Sequence, residues 1–273
     1  MNKQIRRVDP TRGIVQITTM DERWYAKEIF NNETGLPQIQ FRPSVTWIVD
    51  FYPKGIGFNK WLKKNGDEAD VIATLAADRG YKVHRACALL NDGEPFEFGD
   101  PVENQDREFE ELTPEEYAGV MSYADWWNSD GHEKYTILEF ETTIWPDPEA
   151  CATKYNIPSH CFQYAGTLDL MVERKADQAR GVIDFKTSLD IWPAHEMQVC
   201  AYQKASGADF AAILQLNYRR NKKQKWKFTE VADCFDLFIA TQKIWERESA
   251  GIVPLQRDYP LSLKLIGRDK PIE

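Results

Sequence analysis

The chain lacks the sequence features of several protein classes. It has no run of about 18 apolar residues, so no membrane-spanning helix is predicted. Residues 1–9 lack the apolar stretch of a secretory signal, and the early Asp9 is atypical of a mitochondrial presequence. Neither an internal repeat nor a low-complexity linker is present. With 273 residues, 42% of them apolar, the chain is expected to form one domain around a single sizeable core.

Cysteine is scarce and has no pairing pattern. The five cysteines are odd in number and include no Cys-x-x-Cys pair, so a reducing cytoplasm suits the chain best. We interpret them as small buried apolar side chains or idle thiols. They are Cys87, Cys151, Cys161, Cys200 and Cys234.

Acidic residues are in excess, and most of the excess is local. The net charge of −9 argues against a simple nucleic-acid binder, which is usually basic. Residues 92–116, however, hold eleven acidic side chains and one Arg, in a segment rich in Pro and Gly before Thr113. That composition predicts a loop or mobile insertion, either a solvated connector or a segment that repels duplex nucleic acid. Thr113, with Pro114 after it and Glu116 at the third helical position, then predicts a helix start.

Two carboxylates and a lysine lie on two segments that the partial alternation of apolar and polar residues predicts to be adjacent strands. Asp169 belongs to segment 161–173, and Asp184 and Lys186 belong to segment 181–187. Side chains two apart on a strand share a face, so Asp184 and Lys186 would point together toward a surface that a substrate could reach. A divalent metal held by the two carboxylates could activate water beside the lysine. The pattern favours metal-dependent phosphodiester hydrolysis.

Two predicted helices flank these strands. The apolar spacing over residues 67–90 predicts a helix that carries His84. Pro193 opens a second predicted helix, over residues 193–205. Gln198 and Tyr202 lie four residues apart on it and therefore on one helical face.

Four short motifs thus follow one another along the chain. They are Gly-x-x-Val-His ending at His84, Gly-x-x-Asp ending at Asp169, Asp-x-Lys ending at Lys186, and Gln-x-x-x-Tyr ending at Tyr202. This ordered set resembles the PD-(D/E)XK nuclease superfamily, and specifically its RecB-like branch, which includes phage exonucleases and the mitochondrial genome maintenance exonucleases. Pro43-Ser44-Val45-Thr46 also looks like the lead-in of phage-encoded members. Asp169 follows Leu168 rather than a proline, a departure usual in this branch.

The resemblance implies roles for the motif residues. The implied ligands of Mg²⁺ or Mn²⁺ are His84, Asp169, Asp184 and the backbone carbonyl of Phe185. Lys186 would be catalytic, and Gln198 and Tyr202 would support the site or contact the DNA backbone. Glu141 is a candidate for an additional ligand, either directly or through water. Glu139 shares its strand face, so the choice between the two glutamates stays open.

Each of these residues also has a purely structural interpretation. A lone histidine in a helix is most often a satisfied core or surface group, and Asp184 with Lys186 could be a surface ion pair that contributes little. Gln198 and Tyr202 have a spacing that is common in helices. Against this, an Asp between Leu168 and Leu170 is poorly suited to a strand and needs a reason.

A basic segment follows the predicted site. Strands predicted over residues 209–218 and 225–231 flank a turn at 221–222, and the cations among their aromatic residues suit phosphate contacts with base stacking. A lysine-guarded edge hairpin is the alternative. Trp192 could also stack on a base, although core packing is the favoured interpretation. The predicted DNA-binding residues are Arg219, Arg220, Lys222, Lys223, Lys225, Trp226 and Lys227.

These elements predict an α/β fold. The expectation is a restriction-endonuclease-like αβββαβ core, with a central mixed sheet flanked by helices and an N-terminal helical elaboration. Residues 1–65 would form an N-terminal elaboration of strands and helices, 66–250 the core with acidic insertion 92–116, and 251–273 a tail. Further predicted strands cover 24–30, 37–41 and 135–145, and further helices cover 45–51, 58–64, 113–128 and 233–248.

The predicted function is that of a Mg²⁺- or Mn²⁺-dependent deoxyribonuclease, acting as an exonuclease on DNA ends in the cytoplasm of a bacterial or phage-infected cell. Several RecB-like nucleases hold an iron–sulfur cluster with one upstream cysteine and three more near the C-terminus. Here only Cys234 lies beyond the core, so no such cluster is predicted. The alternatives are a noncatalytic nucleic-acid-binding or assembly subunit with the same fold, and a structure-specific endonuclease or RNase. DNA is the expected partner, with room for a recombination or replication protein.

Overall fold

The structure, a computed structural model, describes residues 4–19, 22–31, 35–93, 95–220, 223–250, 252, 254 and 261. Its strands are β1 (Gln4–Asp9), β2 (Ile14–Thr18), β3 (Arg23–Asn31), β4 (Leu36–Pro43), β5 (Pro101–Glu103), β6 (Phe109–Glu111), β7 (Tyr135–Ile144), β8 (Gly166–Arg174), β9 (Arg180–Lys186), β10 (Phe210–Gln215) and β11 (Lys227–Val231). Its helices are α1 (Val45–Val49), α2 (Ile56–Asn65), α3 (Ala69–Asn91), α4 (Pro114–Trp126), α5 (His132–Lys134), α6 (Pro148–Tyr155), α7 (Pro193–Ser206) and α8 (Phe235–Glu248). Within these residues, none of the helices is both long and apolar enough to cross a membrane.

A five-stranded mixed sheet lies at the centre, in the order β11-β10-β9-β8-β7. Neighbouring strands are antiparallel except β9 and β10, which are parallel and joined through α7. A parallel pair needs such a crossover, because the chain must return to the same end of the sheet. The predicted α/β fold, with three strands, a helix and a further strand in sequence, is confirmed.

Apolar side chains cover both faces of this sheet. Alternate residues of β10 enter different clusters, Ala211 and Ile213 on one face and Ala212 and Leu214 on the other. The first cluster packs against α1, α7 and α8, and the second against α3 and α4. Asp169, Asp184 and Lys186 therefore lie on strands that helices cover on both sides.

The N-terminal region contains more strand than the sequence predicted. Strands β3 and β4 match the predicted segments 24–30 and 37–41, but β1 and β2 complete a four-stranded antiparallel sheet. Tyr25 joins this sheet to the core, since its hydroxyl lies 3.1 Å from the Thr167 hydroxyl on β8.

The structure also differs from the prediction between β7 and β8. The predicted strand 161–173 begins only at Gly166, because Ser159–Phe162 form a 3₁₀ turn whose Phe162 is fully buried. Buried apolar residues in a turn imitate a strand pattern. Helix α6, with Asp147 as its N-cap and Pro148 in its first turn, was not predicted. Of the predicted tail 251–273, the structure describes only residues 252, 254 and 261.

The acidic insertion, predicted as a loop or mobile insertion, contains a hairpin and contacts α3. It contains the hairpin of β5 and β6, and α3 holds it through Lys82. The Lys82 ammonium lies 2.8 Å from Glu110, 2.8 Å from Glu116 and 3.5 Å from Asp78. Lys82 and Glu116 are 6% and 5% exposed. One buried cation therefore joins α3, β6 and the start of α4.

We predict that Lys82→Met lowers the free energy of unfolding by about 3 kcal/mol, because it leaves the buried Glu116 carboxylate without its cation. Urea denaturation measures the loss. Lys134→Met is the matched control. Its ammonium lies 2.6 Å from Asp130 but its side chain is 57% exposed, so a loss of no more than about 1 kcal/mol is expected. Equal losses in the two variants would contradict the anchoring role of Lys82.

Candidate active site

The candidate site lies where β8 and β9 separate. Their backbone pairing runs from the Glu173–Arg180 end only as far as Leu170 and Ile183. One step beyond, the backbone N–H of Phe185 donates instead to Asp169 Oδ2 over 2.7 Å. The carboxylate thus takes the place of a strand carbonyl, which satisfies the N–H and ends the pairing. The same hydrogen bond fixes the Asp169 side chain at this fork, the point where β8 and β9 separate.

His84 reaches this fork from α3. Its Nδ1 lies 2.9 Å from Asp169 Oδ1, and its ring meets the Phe185 ring edge-on at 5.7 Å. Burial lowers the pKa of His84, but the charge and hydrogen bond of Asp169 outweigh burial and raise it above the ordinary value. Burial likewise raises the pKa of Asp169, and the His84 charge outweighs it, so that pKa is lowered. The pair therefore favours imidazolium with carboxylate.

Asp184 and Lys186 share a strand face as predicted, but α7 covers that face. Asp184 is only 2% exposed, which corrects the expectation of a carboxylate at an open surface. Lys186 Nζ lies 2.5 Å from Asp184 Oδ2. Burial raises the pKa of Asp184 to about 6, since the pull of Lys186 offsets only part of the desolvation. Although Lys186 is this close, Oδ2 accepts no hydrogen bond of normal geometry.

Helix α7 holds the lysine in place. Lys186 Nζ donates to Gln198 Oε1 over 3.1 Å, and Gln198 Nε2 donates to the Tyr202 hydroxyl over 3.1 Å. The Tyr202 ring lies against Gly166, where a Cβ would come within 2.5 Å of the ring. Only glycine allows this approach. The first residue of Gly-x-x-Asp therefore makes room for the last residue of Gln-x-x-x-Tyr.

The strand register distinguishes the two glutamates between which the sequence left the choice open. Glu141 lies between Phe140 and Thr142, which pair with Leu170 and Leu168 on either side of Asp169, whereas Glu139 pairs with Met171. Glu141 has a φ of 45°, uncommon for a residue other than glycine, and forms an ion pair with Arg85. Backbone conformations of this kind concentrate at functional sites, where the surrounding structure holds them. Of the two, Glu141 is the one aligned with the site.

The donor set suits a divalent cation, although its members are paired with one another. Among the described residues, no three acidic, histidine or cysteine side chains converge into a ready-made metal site. The Asp169 carboxylate is hydrogen-bonded to His84, and the Asp184 carboxylate forms an ion pair with Lys186. The buried Asp184 Oδ2 nevertheless accepts no hydrogen bond of normal geometry, and carboxylates with a carbonyl are the hard oxygen donors that Mg²⁺ and Mn²⁺ prefer. The residues therefore fit such an ion chemically.

The basic segment begins at the same edge of the sheet as the lysine. The Leu216 N–H donates to the Lys186 carbonyl over 2.8 Å, and the chain continues into the predicted DNA-binding residues. Arg219 pairs with Glu115, and Arg220 lies 2.7 Å from Asp190. The predicted strands are shorter than expected, since β10 ends at Gln215 and β11 begins at Lys227. Lys223, Lys225 and Trp226 lie between them, and Lys222 falls outside the described residues.

Two residues near the site were missed by the sequence patterns or interpreted differently. His195 lies on the same face of α7 as Gln198, three residues earlier, a spacing that could have revealed it. Burial, helped by Lys186 and Lys54, lowers its pKa to about 3, so its ring is neutral. Trp192 is 55% exposed, so its interpretation as core packing was wrong.

We predict that Gly166→Ala costs about 1–3 kcal/mol of stability, because the new methyl group displaces the Tyr202 ring. Thermal and urea unfolding measure the loss. Gly80→Ala on α3 is the matched control. Its Cβ would lie 3.5 Å from the Thr187 hydroxyl, an ordinary contact, and alanine favours the helix by about 0.5–1 kcal/mol. Wild-type stability of Gly166→Ala would contradict the close packing with Tyr202.

A second prediction concerns pH. Between its ordinary value of 3.8 and about 6, folded Asp184 holds a proton that the unfolded chain has released. The cation-free protein therefore loses stability as pH rises through that interval. Cation binding needs the deprotonated carboxylate, so Mn²⁺ should raise Tm at about pH 8 and not at about pH 5. Asp184→Asn should show no increase at either pH. An equal increase at both pH values in the native chain would contradict binding through Asp184.

A scan against models of known protein families finds no match, and a search of the curated proteins finds none. Among solved structures, the crystal structure of SSO0001 is similar at 14% identity and a TM-score of 0.30, over 49% of this chain, which spans 59% of that one. An alkaline exonuclease (LHK-Exo) from Laribacter hongkongensis is similar at 12% identity and a TM-score of 0.37, over 77% of this chain and 88% of that one. Both similarities are too distant to support a functional argument.

Proposed function

We propose that the protein is a Mg²⁺- or Mn²⁺-dependent deoxyribonuclease that hydrolyses phosphodiester bonds at DNA ends. The observation that carries this proposal is the fork of β8 and β9, in which Lys186 lies beside Asp184 while Asp169 contacts His84. Two acidic groups and an ammonium gathered at one buried point suit phosphoryl chemistry. The preference for DNA ends rests on the resemblance of the four ordered motifs.

The cation would be held by His84, Asp169, Asp184 and the carbonyl of Phe185. When bound there, it would supply Lewis-acid stabilisation of the phosphate and make a water molecule more acidic. Glu141 lies on β7 between residues that pair on either side of Asp169, and would join the site directly or through water. Arg85 pairs with Glu141 and follows His84 in the chain, so its charge balances the carboxylates at the edge of the fork.

Lys186 would act on the substrate itself. Its ammonium is held by Gln198, and that amide is held in turn by Tyr202, so the group is oriented before substrate arrives. A preoriented cation stabilises the negative charge that grows on the phosphate oxygens and keeps the attacking water in line.

Nucleic acid would approach along the sheet edge where β9 and β10 end. The basic segment starts there beside Lys186, and its arginines make ion pairs that are half-exposed. Exposed pairs of this kind contribute at most about 1 kcal/mol, so phosphates can displace them. A noncatalytic binding protein with the same fold is the competing proposal, because the site side chains are paired with one another.

The deciding assay incubates the purified protein with linear single-stranded DNA, linear duplex DNA, closed circular DNA and RNA, each with Mg²⁺, Mn²⁺ or EDTA. We predict metal-dependent loss of the linear DNA alone. Lys186→Ala should lower the rate about 100-fold or more, because it removes a preoriented charge. Lys243→Ala changes an exposed lysine on α8 and serves as the matched control.

Full activity of a folded Lys186→Ala protein would refute the proposed role of the lysine. Cleavage of the closed circle would identify an endonuclease, and loss of RNA alone an RNase. Retained DNA binding without cleavage under any condition would establish the binding-only alternative. Circular dichroism of each variant ensures that a lost activity does not reflect an unfolded chain.

A further inference from the structure

A cavity outside the fork has no role in the chemistry described so far. It measures about 480 Å³ and lies between the end of α4 and the basic segment before β11. Just past Trp126 the chain makes a π-helical turn, Trp127–Gly131, which contributes Asn128 and Ser129 to the wall. Such turns are rare and occur often at functional sites. The lining residues are Asp125, Asn128, Ser129, Lys223, Gln224, Lys225 and Trp226.

The lining indicates the chemistry of a ligand. Lys223 and Lys225 offer charge to an anion, and the half-buried Trp226 offers an indole ring for stacking. Asn128 and Gln224 provide amides that can both donate and accept hydrogen bonds. The volume lies within the range of about 300–1,000 Å³ that is usual for small-molecule sites. An anionic phosphate, a polar sugar and an aromatic base together match this wall better than an apolar ligand does.

The cavity lies close to the candidate active site. Gln215 pairs with Lys186 on one side and with Lys227 on the other, so Trp226 lies one residue from the strand row of the lysine. Two strand spacings, or about 10 Å, separate the backbone of Lys186 from that of Lys227. A nucleic-acid strand that rises 3.4 Å per nucleotide covers this distance in about three nucleotides. The cavity lies on the α4 side of the sheet and the Lys186 side chain faces α7, so one strand would reach both places by passing around the ends of β9, β10 and β11.

We propose that this cavity binds a single unpaired nucleotide of the substrate strand, with its base on Trp226 and its phosphate between Lys223 and Lys225. The proposal rests on the nuclease function in that it names a second contact for the same substrate. It assigns the strand beyond the cleavage point a fixed position, because one base is held while the phosphodiester lies in the fork. A duplex end would have to unpair to supply that base.

The test measures binding in EDTA, where no cleavage interferes. Deoxynucleoside 5′-monophosphates are titrated by calorimetry, and a fluorescein-labelled single-stranded pentathymidylate by anisotropy. Lys225→Glu removes a cation from the wall, and Asn128→Trp fills the cavity from an exposed position. Each should raise Kd for both probes about tenfold or more. Lys243→Glu, the same charge reversal on the exposed face of α8, should leave the Kd of the monophosphates unchanged and that of the oligonucleotide nearly unchanged.

Kinetics with Mg²⁺ provide the second readout. Lys225→Glu should raise KM for single-stranded DNA and leave kcat unchanged, because it weakens binding away from the reacting phosphate. Wild-type Kd values in both variants, or no monophosphate binding by the native chain, would overturn the cavity proposal even if the protein is a nuclease. Binding that the two variants abolish, in a protein that cleaves nothing, would support the cavity and refute the nuclease proposal alone.

Discussion

The bond from the Phe185 N–H to the Asp169 carboxylate determines where the candidate site lies. A strand pair continues while each backbone N–H finds a carbonyl across the ladder, and here a side chain supplies the acceptor. The strands separate at that point without leaving a buried donor unsatisfied. His84 from α3 then reaches Asp169 from one side of the sheet, and α7 covers Asp184 and Lys186 on the other. Exchanging Asp169 for an apolar residue would remove both the proposed metal ligand and the cause of the opening.

Charge balance explains why so many ionisable groups tolerate this burial. Asp169, Asp184 and Glu141 bring three negative charges to the fork, and Lys186 and Arg85 bring two positive ones. Protonated His84 supplies the third, in agreement with its raised pKa. Buried ions cost several kcal/mol each unless they are paired, so the cation-free fork is stable only with such an arrangement. A bound divalent ion would replace the histidine proton in this balance, which is why protons and cations are expected to compete there.

The sequence predicted the parts of the fold that depend on local patterns. Alternation and helical spacing located β8, β9, α3 and α7, and the ordered motifs identified which of their residues meet. What it could not predict depends on distant partners. The anchoring role of Lys82 appears only once Glu110 and Glu116 are brought beside α3. The need for Gly166 is set by a Tyr202 ring 36 positions later in the chain. Residues 161–165 imitate a strand because buried turns and buried strands have the same apolar composition.

The acidic net charge was the strongest sequence argument against nucleic-acid binding, and the pairing in the structure weakens it. Glu110 and Glu116 are engaged by Lys82, and Glu115 is shared between Arg79 and Arg219. These acidic groups serve inside the fold and at its edge, so the sum of charges overstates the repulsion that a phosphate chain would meet. The pairs around Arg219 and Arg220 are exposed, and each contributes at most about 1 kcal/mol. A polyanion could therefore exchange for Glu115 and Asp190, and the proposed binding along this edge would then depend strongly on salt.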